Sequence, residues 1–373
     1  MDRNVIYVGL DVDDTQYHGS ALNKETGEVI SFQCRPTLSG LLKQLAKLDQ
    51  VFPDSTLSLC YEASYIGYTL QRDLAKHGYH CDVVAPSSIP SPRGKQIKTD
   101  RIDAAQLAQF YANGLLTIVA IPEPEQEHDR DLLRSRKKLV DQRKELRTHI
   151  LSLLRRNGRH FQQETPNKAN WTMPHQYWLE KVVTTSSGSF AVNLSLLVRQ
   201  LKAVNGILTE YAQEIHAMAK TERYERSVQA LTCYKGIKNL FALTMITEIG
   251  DIKRFPHPRQ LMSWVGMDIR EYSSGGKHNR FGITKQGNRY LRSAFIEANQ
   301  RGYRTARLSN DLKARRKGAE PDLIAIADRC LRRLNKKGNR LLIGNQWDGL
   351  LLTPPIGVNA PEWQVQSRHS GNE

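Results

Sequence analysis

Apolar and polar positions in the first part of the chain change over in short blocks. Val5-Ile6-Tyr7-Val8-Gly9-Leu10-Asp11-Val12 is an apolar run closed by an acid, which reads as a buried strand. Tyr17 to Leu22 and Glu28 to Gln33 read as two further strands, joined through Asn23-Lys24-Glu25-Thr26-Gly27. A helix over Leu38 to Leu48, a strand over Leu57 to Glu62, a helix over Gly67 to His77 and a strand over Cys81 to Ala85 follow. A polar loop rich in Pro and Ser, 86–95, leads to Lys98-Thr99-Asp100-Arg101-Ile102-Asp103-Ala104-Ala105 and an amphipathic helix, and Leu116 to Ile121 reads as a last short strand. Three strands in a meander, then alternating strands and helices, predict an α/β domain with a mixed sheet of ribonuclease-H-like type over residues 1–125.

After Glu123-Pro124-Glu125 the period lengthens. Leu132, Leu139, Leu146 and Leu153 repeat every seven residues, with Ile150 at a second seam position. A second run, Leu194, Leu197, Leu201, Val204, Leu208, Tyr211, Ile215 and Met218, alternates spacings of three and four. Two long heptad helices predict a coiled-coil arm over 126–227, formed within one chain or across a dimer. The polar stretch 157–190, with Trp171, Pro174 and Trp178, interrupts the arm as a loop or insertion. Residues 228–345 read as a mostly α domain. Its opening, Leu231 to Ile249 with a turn at Gly236, has the spacing of a helix–hairpin–helix unit, which offers backbone N–H groups to phosphate. The tail 346–373, with Pro354, Pro355 and Pro361, reads as disordered.

Charge sharpens this picture. The net charge is +16, and it is segregated: residues 130–160 carry 11 basic and 3 acidic side chains, residues 253–340 carry 22 and 7, and the remainder is net acidic. Two basic blocks on an otherwise acidic chain are what surfaces that track a phosphate backbone need. The five cysteines are scattered without a CxxC pair, which predicts free thiols and a reducing, cytoplasmic setting. Neither a signal-peptide core nor an apolar run of membrane-spanning length is apparent.

Two sets of residues carry candidate chemistry. Asp11 and Glu62 close predicted strands, where open α/β sheets place their sites, and Asp100 and Asp103 share one helical face. Four carboxylates form an oxygen-only set suited to Mg²⁺ or Mn²⁺, and a pair of such ions can clamp the two oxygens exchanged at a phosphodiester. An actin-like ATP site would need Gly-rich phosphate loops, and only Gly9 and Gly19 are near. The second set is Tyr272-Ser273-Ser274-Gly275-Gly276-Lys277: hydroxyls on a Gly-flexible loop, followed by Arg280, Lys285, Arg289 and Arg292. Lys98, Arg101, Gly275, Lys277, Arg280, Lys285, Arg289 and Arg292 are the candidate nucleic-acid contacts.

Asp11, Glu62, Lys98-Thr99-Asp100-Arg101-Ile102-Asp103, Thr247-Glu248-Ile249-Gly250-Asp251, Tyr272 to Lys277 and Gly282-Ile283-Thr284-Lys285-Gln286-Gly287-Asn288-Arg289 occur in that order. Together they resemble the DEDD transposases of the insertion-sequence one-ten family, over roughly residues 5–155 and 228–305. The resemblance implies an N-terminal domain similar to the RuvC Holliday-junction resolvase, with Asp11, Glu62, Asp100 and Asp103 binding Mg²⁺. It implies a C-terminal serine nucleophile, Ser274 or its neighbour Ser273, acting on donor and target DNA through a covalent serine–DNA phosphoester. It further implies a bridge (guide) RNA, a composite site between subunits of a dimer or tetramer, and a prokaryotic, nucleoid-associated setting. Where the family often has Ser-Lys after its first acid, this chain has Asp13-Asp14. A metal nuclease of RuvC type using water as nucleophile is the alternative, and a non-enzymatic nucleic-acid scaffold a third.

Overall fold

The computed structural model describes residues 4–86, 89–90, 100–166, 169–274, 277–303 and 308–336. The chain divides into two compact units, Met1–Glu123 and Pro124–Glu373.

The first unit is built on a mixed five-stranded sheet of order β3-β2-β1-β4-β5. The strands are β1 (Asn4–Val12), β2 (Tyr17–Asn23), β3 (Val29–Cys34), β4 (Ser55–Glu62) and β5 (His80–Val84). β1, β2 and β3 pair antiparallel, whereas β1, β4 and β5 pair parallel. Helices α1 (Leu38–Val51) and α2 (Thr69–Lys76) connect the strands, and α3 (Asp100–Ala112) follows β5. Thr37 starts α1 by accepting from the Gly40 N–H at 3.1 Å, and Leu41, Leu45 and Leu48 then fall on one buried stripe. That stripe, with Leu70 and Leu74 of α2, packs on Ile6, Val8, Leu10 and Val12 of β1 and Leu57, Leu59 and Tyr61 of β4. Residues of alternate parity face the other way, toward α3: Cys60 packs with Leu107, and Tyr7 meets Tyr111 edge-on. Helices thus cover both faces of the sheet, which is why β1 is apolar almost throughout. The strand expected over Leu116 to Ile121 reduces to a single antiparallel bridge, Val84 to Ile118. The five expected strands that precede it are all present.

The second unit opens with α4 (Pro124–Arg156), a helix about 50 Å long at 1.5 Å per residue. It packs against α7 (Gly188–Met218) within the same chain. Leu133 of α4 clusters with Ile215 of α7, and Leu153 with Leu194, so the two helices run antiparallel. On α7 the expected seam residues Leu194, Leu197, Leu201, Val204, Leu208 and Ile215 are buried. On α4 the strict heptad shifts: Leu133, Ile150, Leu153 and Leu154 are buried, while Leu132 and Leu139 are half-buried. A straight helix drifts about 20° per heptad, so a fixed seven-residue register does not stay on one face over this length.

The stretch 157–190, expected as a loop or insertion, contains α5 (Phe161–Glu164) and α6 (Met173–Thr185). They cap the end of the arm: Phe161, Trp178, Leu179 and Val182 pack with Ile150, Leu154 and Leu194. The Trp178 indole N–H donates to Glu164 at 3.0 Å, and Glu164 is held by the Arg159 guanidinium. The paired Arg159 and the further donors lower the Glu164 carboxyl to about 2. Phe161, Trp171 and Trp178, spaced irregularly, give no periodic signal, yet they help make this cluster.

The other end of the arm joins α8 (Glu225–Thr232), α9 (Asn239–Ile249), α10 (Pro258–Val265), α11 (Arg289–Tyr303) and α13 (Pro321–Lys336) in one core, and α12 (Asn310–Arg315) packs against α8. α8 and α9 flank a turn at Gly236, with φ 90°, as the sequence spacing anticipated. Carbonyls of that turn region are taken by α12 and its C-cap: Arg315 donates to Thr232 and Ile237, and Arg316 to Cys233. Between α10 and α11 the expected polar loop is a β-ribbon, β6 (Ile269–Ser274) with β7 (Lys277–Ile283). The tail 346–373 lies outside the described residues.

Candidate active site

Gly9 sets the acid end of the first unit. A Cβ there would lie 2.3 Å from the Ala104 carbonyl oxygen and 2.5 Å from the Ala108 nitrogen, so only glycine lets α3 rest directly on β1. The direction of α3 is fixed at its far end, where the Lys24 ammonium, just beyond β2, donates to the Ala112 carbonyl at 2.7 Å. Asn23 pairs with Ile6 near the start of β1, so α3 runs opposite to β1 and its first turn points toward the strand's carboxyl end. That end carries Asp11.

Register brings the second acid to the same place. Leu10 pairs with Tyr61, so Glu62 is the β4 neighbour of Asp11. Both follow the parity of Gly9 and Cys60 and lie on the α3 side of the sheet. Asp11 and Asp103 are half-buried, and Glu62 is exposed. Asp100 is the first residue of α3. The backbone therefore gathers all four acidic positions at one end and one face of the sheet. Further acids join them: Asp13 accepts from the Thr15 amide and hydroxyl at 2.8 and 2.6 Å, which lowers its carboxyl. Tyr65, just beyond β4, is pushed up to about 12 by desolvation, a hydrogen bond with Asp14 and the nearby Asp13 charge.

An all-carboxylate donor set fits a hard divalent cation better than a soft one. Among the described residues, no three His, Cys, Asp or Glu are grouped tightly enough to hold an ion. The side chain of Asp100 is outside that set, as are Lys98 entirely and the side chain of Arg101.

The serine set belongs to the second unit. Ser274 is the last residue of β6 and pairs with Lys277, the first of β7, while Ser273 pairs with His278. Only two residues separate the strands, the length favoured for a tight hairpin. Gly275 lies outside the described residues, and Lys277 and Arg280 are described by their backbone positions on β7. Both serines thus stand at the turn end of a projecting ribbon.

The ribbon's base is clamped. A Cβ at Gly266 would lie 1.7 Å from the Gln286 carbonyl oxygen, and one at Gly287 would lie 2.0 Å from that of Trp264. Gly266 ends α10 at φ 75° and Gly287 has φ 96°, both in the left-handed region. The Lys285 N–H donates to Gly266 at 2.9 Å and the Thr284 N–H to Asp268 at 2.8 Å. Lys285 itself holds φ 58°, an unusual conformation for a side-chain-bearing residue. Of the predicted nucleic-acid contacts, Lys285 and Arg289 are exposed. Arg289 stacks on Tyr290 at 4.9 Å. Arg292 is half-buried and donates to the Val265 carbonyl at 2.6 Å, so it ties α11 to α10.

Glu248 lies in the Thr247–Asp251 motif, and the sequence gives it no role. It is buried, and receives Nε and Nη2 of Arg134 at 2.8 and 2.7 Å and the side-chain amide of Asn288 at 2.7 Å. A single charged residue in the helix Asn239–Ile249 is the available sequence signal.

Comparison with known proteins gives two family matches. A model described as "Transposase", of the DEDD group, matches residues 8–157, and one described as "Transposase IS116/IS110/IS902 family" matches residues 228–313. Together they cover more than half the chain. "Putative transposase y4qE" of Sinorhizobium fredii is 34% identical over 69% of this chain and 60% of its own length. "Transposase for insertion sequence element IS1533" of Leptospira borgpetersenii is 27% identical over 91% of this chain and 97% of its own. The corresponding protein for IS1111A of Coxiella burnetii is 27% identical, over 68% and 69%. No helix among the described residues is long and apolar enough to cross a membrane.

Proposed function

Because the chain belongs to the IS110 family of insertion-sequence transposases, enzymes that act on DNA, we propose that it cuts and rejoins DNA strands by phosphodiester transesterification, with Ser274 as nucleophile. The observation that carries this reading is the convergence of Asp11, Glu62 and the first turn of α3, with Asp100 and Asp103, on one end of the sheet. The meander β1–β3 with parallel β4 and β5 supports a ribonuclease-H-like, RuvC-like reading of the unit.

Asp11, Glu62, Asp100 and Asp103 would hold Mg²⁺ or Mn²⁺. Bound there, the ions supply charge stabilisation for the pentavalent phosphate and favour the serine alkoxide. The Ser274 Oγ forms a bond to phosphorus as the bond to the departing strand's oxygen breaks. That strand leaves with a free hydroxyl and gains the proton. A second strand's hydroxyl then attacks the phosphoserine ester and releases Ser274. The phosphodiester is conserved through both steps, so no nucleotide triphosphate is consumed. The ribbon geometry suits this role, since a residue at a hairpin turn reaches a backbone phosphate that a sheet end cannot. Lys277, Arg280, Lys285 and Arg289 would bind the phosphates beside it, and Lys98 and Arg101 would bind phosphate at the first unit. Pairing through a guide RNA, and action as a dimer or tetramer, complete the reading by resemblance to the family.

Incubation with Mg²⁺, the RNA transcribed beside the gene and a labelled, nicked duplex of the element's terminus tests it. Wild type should leave a protein–DNA adduct that survives denaturation. Ser274→Ala should lose it by about a thousandfold or more, and Asp11→Asn should abolish cleavage to a similar extent. Cleavage that persists in Ser274→Ala, without adduct, would assign the nucleophile to water instead.

A further inference from the structure

Glu248 joins three elements that are distant in sequence. Arg134 lies on α4, Glu248 on α9, and Asn288 immediately before α11. The adjacent Thr247 carbonyl receives Gln126 and Arg130 of α4 at 2.8 and 2.5 Å, so α4 and α9 are locked along two turns. Asn288 works in both directions. Its side-chain oxygen accepts from the Tyr290 and Leu291 N–H groups at 3.0 Å, capping α11, while its amide nitrogen donates to Glu248. Arg134 also stacks over Tyr290 at 5.0 Å.

A buried, fully bonded carboxylate of this kind adds little net stability over an apolar core, and its better attested use is to fix one arrangement. The arrangement fixed here includes the ribbon. Asn288 is contiguous with Gly287, whose backbone is pressed against Trp264 of α10, and β6 starts after the short connection Gly266–Asp268 that follows α10. The residues between β7 and Asn288 are tied to the start of β6 by the Thr284 N–H bond to Asp268 and the Lys285 N–H bond to Gly266. β6 then extends for six residues, roughly 20 Å at strand rise, to Ser274. Over that lever, a small rotation at the base becomes a displacement of ångströms at the turn.

We propose that Glu248, through Asn288, is the positioning residue of the serine ribbon: it sets the angle at which β6 and β7 leave the core. The inference rests on the reading of Ser274 as nucleophile for its effect on rate, but not for its effect on the ribbon. The test uses full-length protein in two measurements. Asn288→Ser keeps a helix-capping oxygen and removes the donor to Glu248. Amide exchange along Ile269–Ser274 and Lys277–Ile283 should accelerate about tenfold while α9 and the first unit keep their protection. The single-turnover rate of adduct formation on the nicked duplex should fall about tenfold, with DNA affinity within about threefold of wild type. The exchanged pair Glu248→Gln with Asn288→Asp restores a donor facing a carboxylate, and should recover most of both losses. If Asn288→Ser does not fold, the exchanged pair compared with Glu248→Gln alone carries the same contrast. Unchanged ribbon exchange, or an exchanged pair no better than the single variant, overturns the proposal. If instead Ser274→Ala retains the adduct, the nucleophile reading fails while the exchange data still decide the role of Glu248.

Discussion

At the acid end of the first unit, Asp11 and Glu62 stand on strands of a sheet with helices on both faces, and strand register alone makes them neighbours. At the serine ribbon, two strands stand on a clamped base and Ser274 lies at their far end. The first arrangement gives a rigid cradle suited to metal-ligating groups. The second gives reach, at the cost of sheet support, and relies on Gly266, Gly287 and Glu248 at its root. The contrast teaches that one chain can fix some candidate groups by packing and others by leverage. Disturbing each base should therefore have different consequences.

The largest stability effects should come from filling the two close backbone contacts. Gly266→Ala puts a methyl 1.7 Å from the Gln286 carbonyl at a left-handed φ. Steric and conformational costs add, and a loss of about 3 kcal/mol in the second unit is expected in chemical denaturation. Gly9→Ala places its methyl 2.3 Å from Ala104 but has no left-handed penalty. A loss of about 2 kcal/mol, confined to the first unit, should follow as α3 shifts off β1. Equal losses in both variants would remove the distinction between cradle and lever.

The capped end of the α4–α7 arm supplies a pH control from its own aromatic cluster. His175 is completely buried among Phe161, Trp171 and Trp178, and neither ring nitrogen has a hydrogen-bond partner. Burial lowers its pKa from 6.5 to about 4. The neutral ring is the folded form, so its contribution is complete above pH 6.5 and is lost as pH falls toward 4. A decline of up to about 3 kcal/mol is expected across that window, on the scale of 1.4 kcal/mol per unit. His175→Phe should flatten it, as read by denaturation midpoints at each pH. A decline that persists in His175→Phe would place the titrating group elsewhere.

Much of this was legible in the pattern of residues. The first five strands and the acids that close two of them followed from apolar runs of definite length, because a sheet covered on both faces demands them. The α7 seam followed from its spacing for the same reason. The capping cluster around Trp178 did not, since its contacts join residues of irregular spacing through tertiary packing. Ser273 and Ser274 read as loop because Ser and Gly are poor strand formers. Pairing with β7 overrides that propensity, as cross-strand contacts do. Glu248 escaped because its partners Arg134 and Asn288 are 114 and 40 positions away, and no local rule joins them.

The smallest predicted effect separates backbone from charge at Lys285. Its φ of 58° costs a side-chain-bearing residue about 1 kcal/mol, and its N–H is committed to Gly266. Asparagine tolerates this conformation better, so Lys285→Asn should leave stability unchanged or raise it by less than about 1 kcal/mol. If the exposed ammonium meets a DNA phosphate at the root of the ribbon, the same variant should bind DNA severalfold more weakly. The slope of log affinity against log salt should then shrink by about one unit. An unchanged salt slope would remove Lys285 from the DNA contacts and leave its left-handed backbone as a purely local feature of the clamp. A reduced slope with intact stability would show instead that the residues bracing the lever also hold the strand it acts upon, so that the base of the ribbon, unlike the back of the acid cradle, faces substrate.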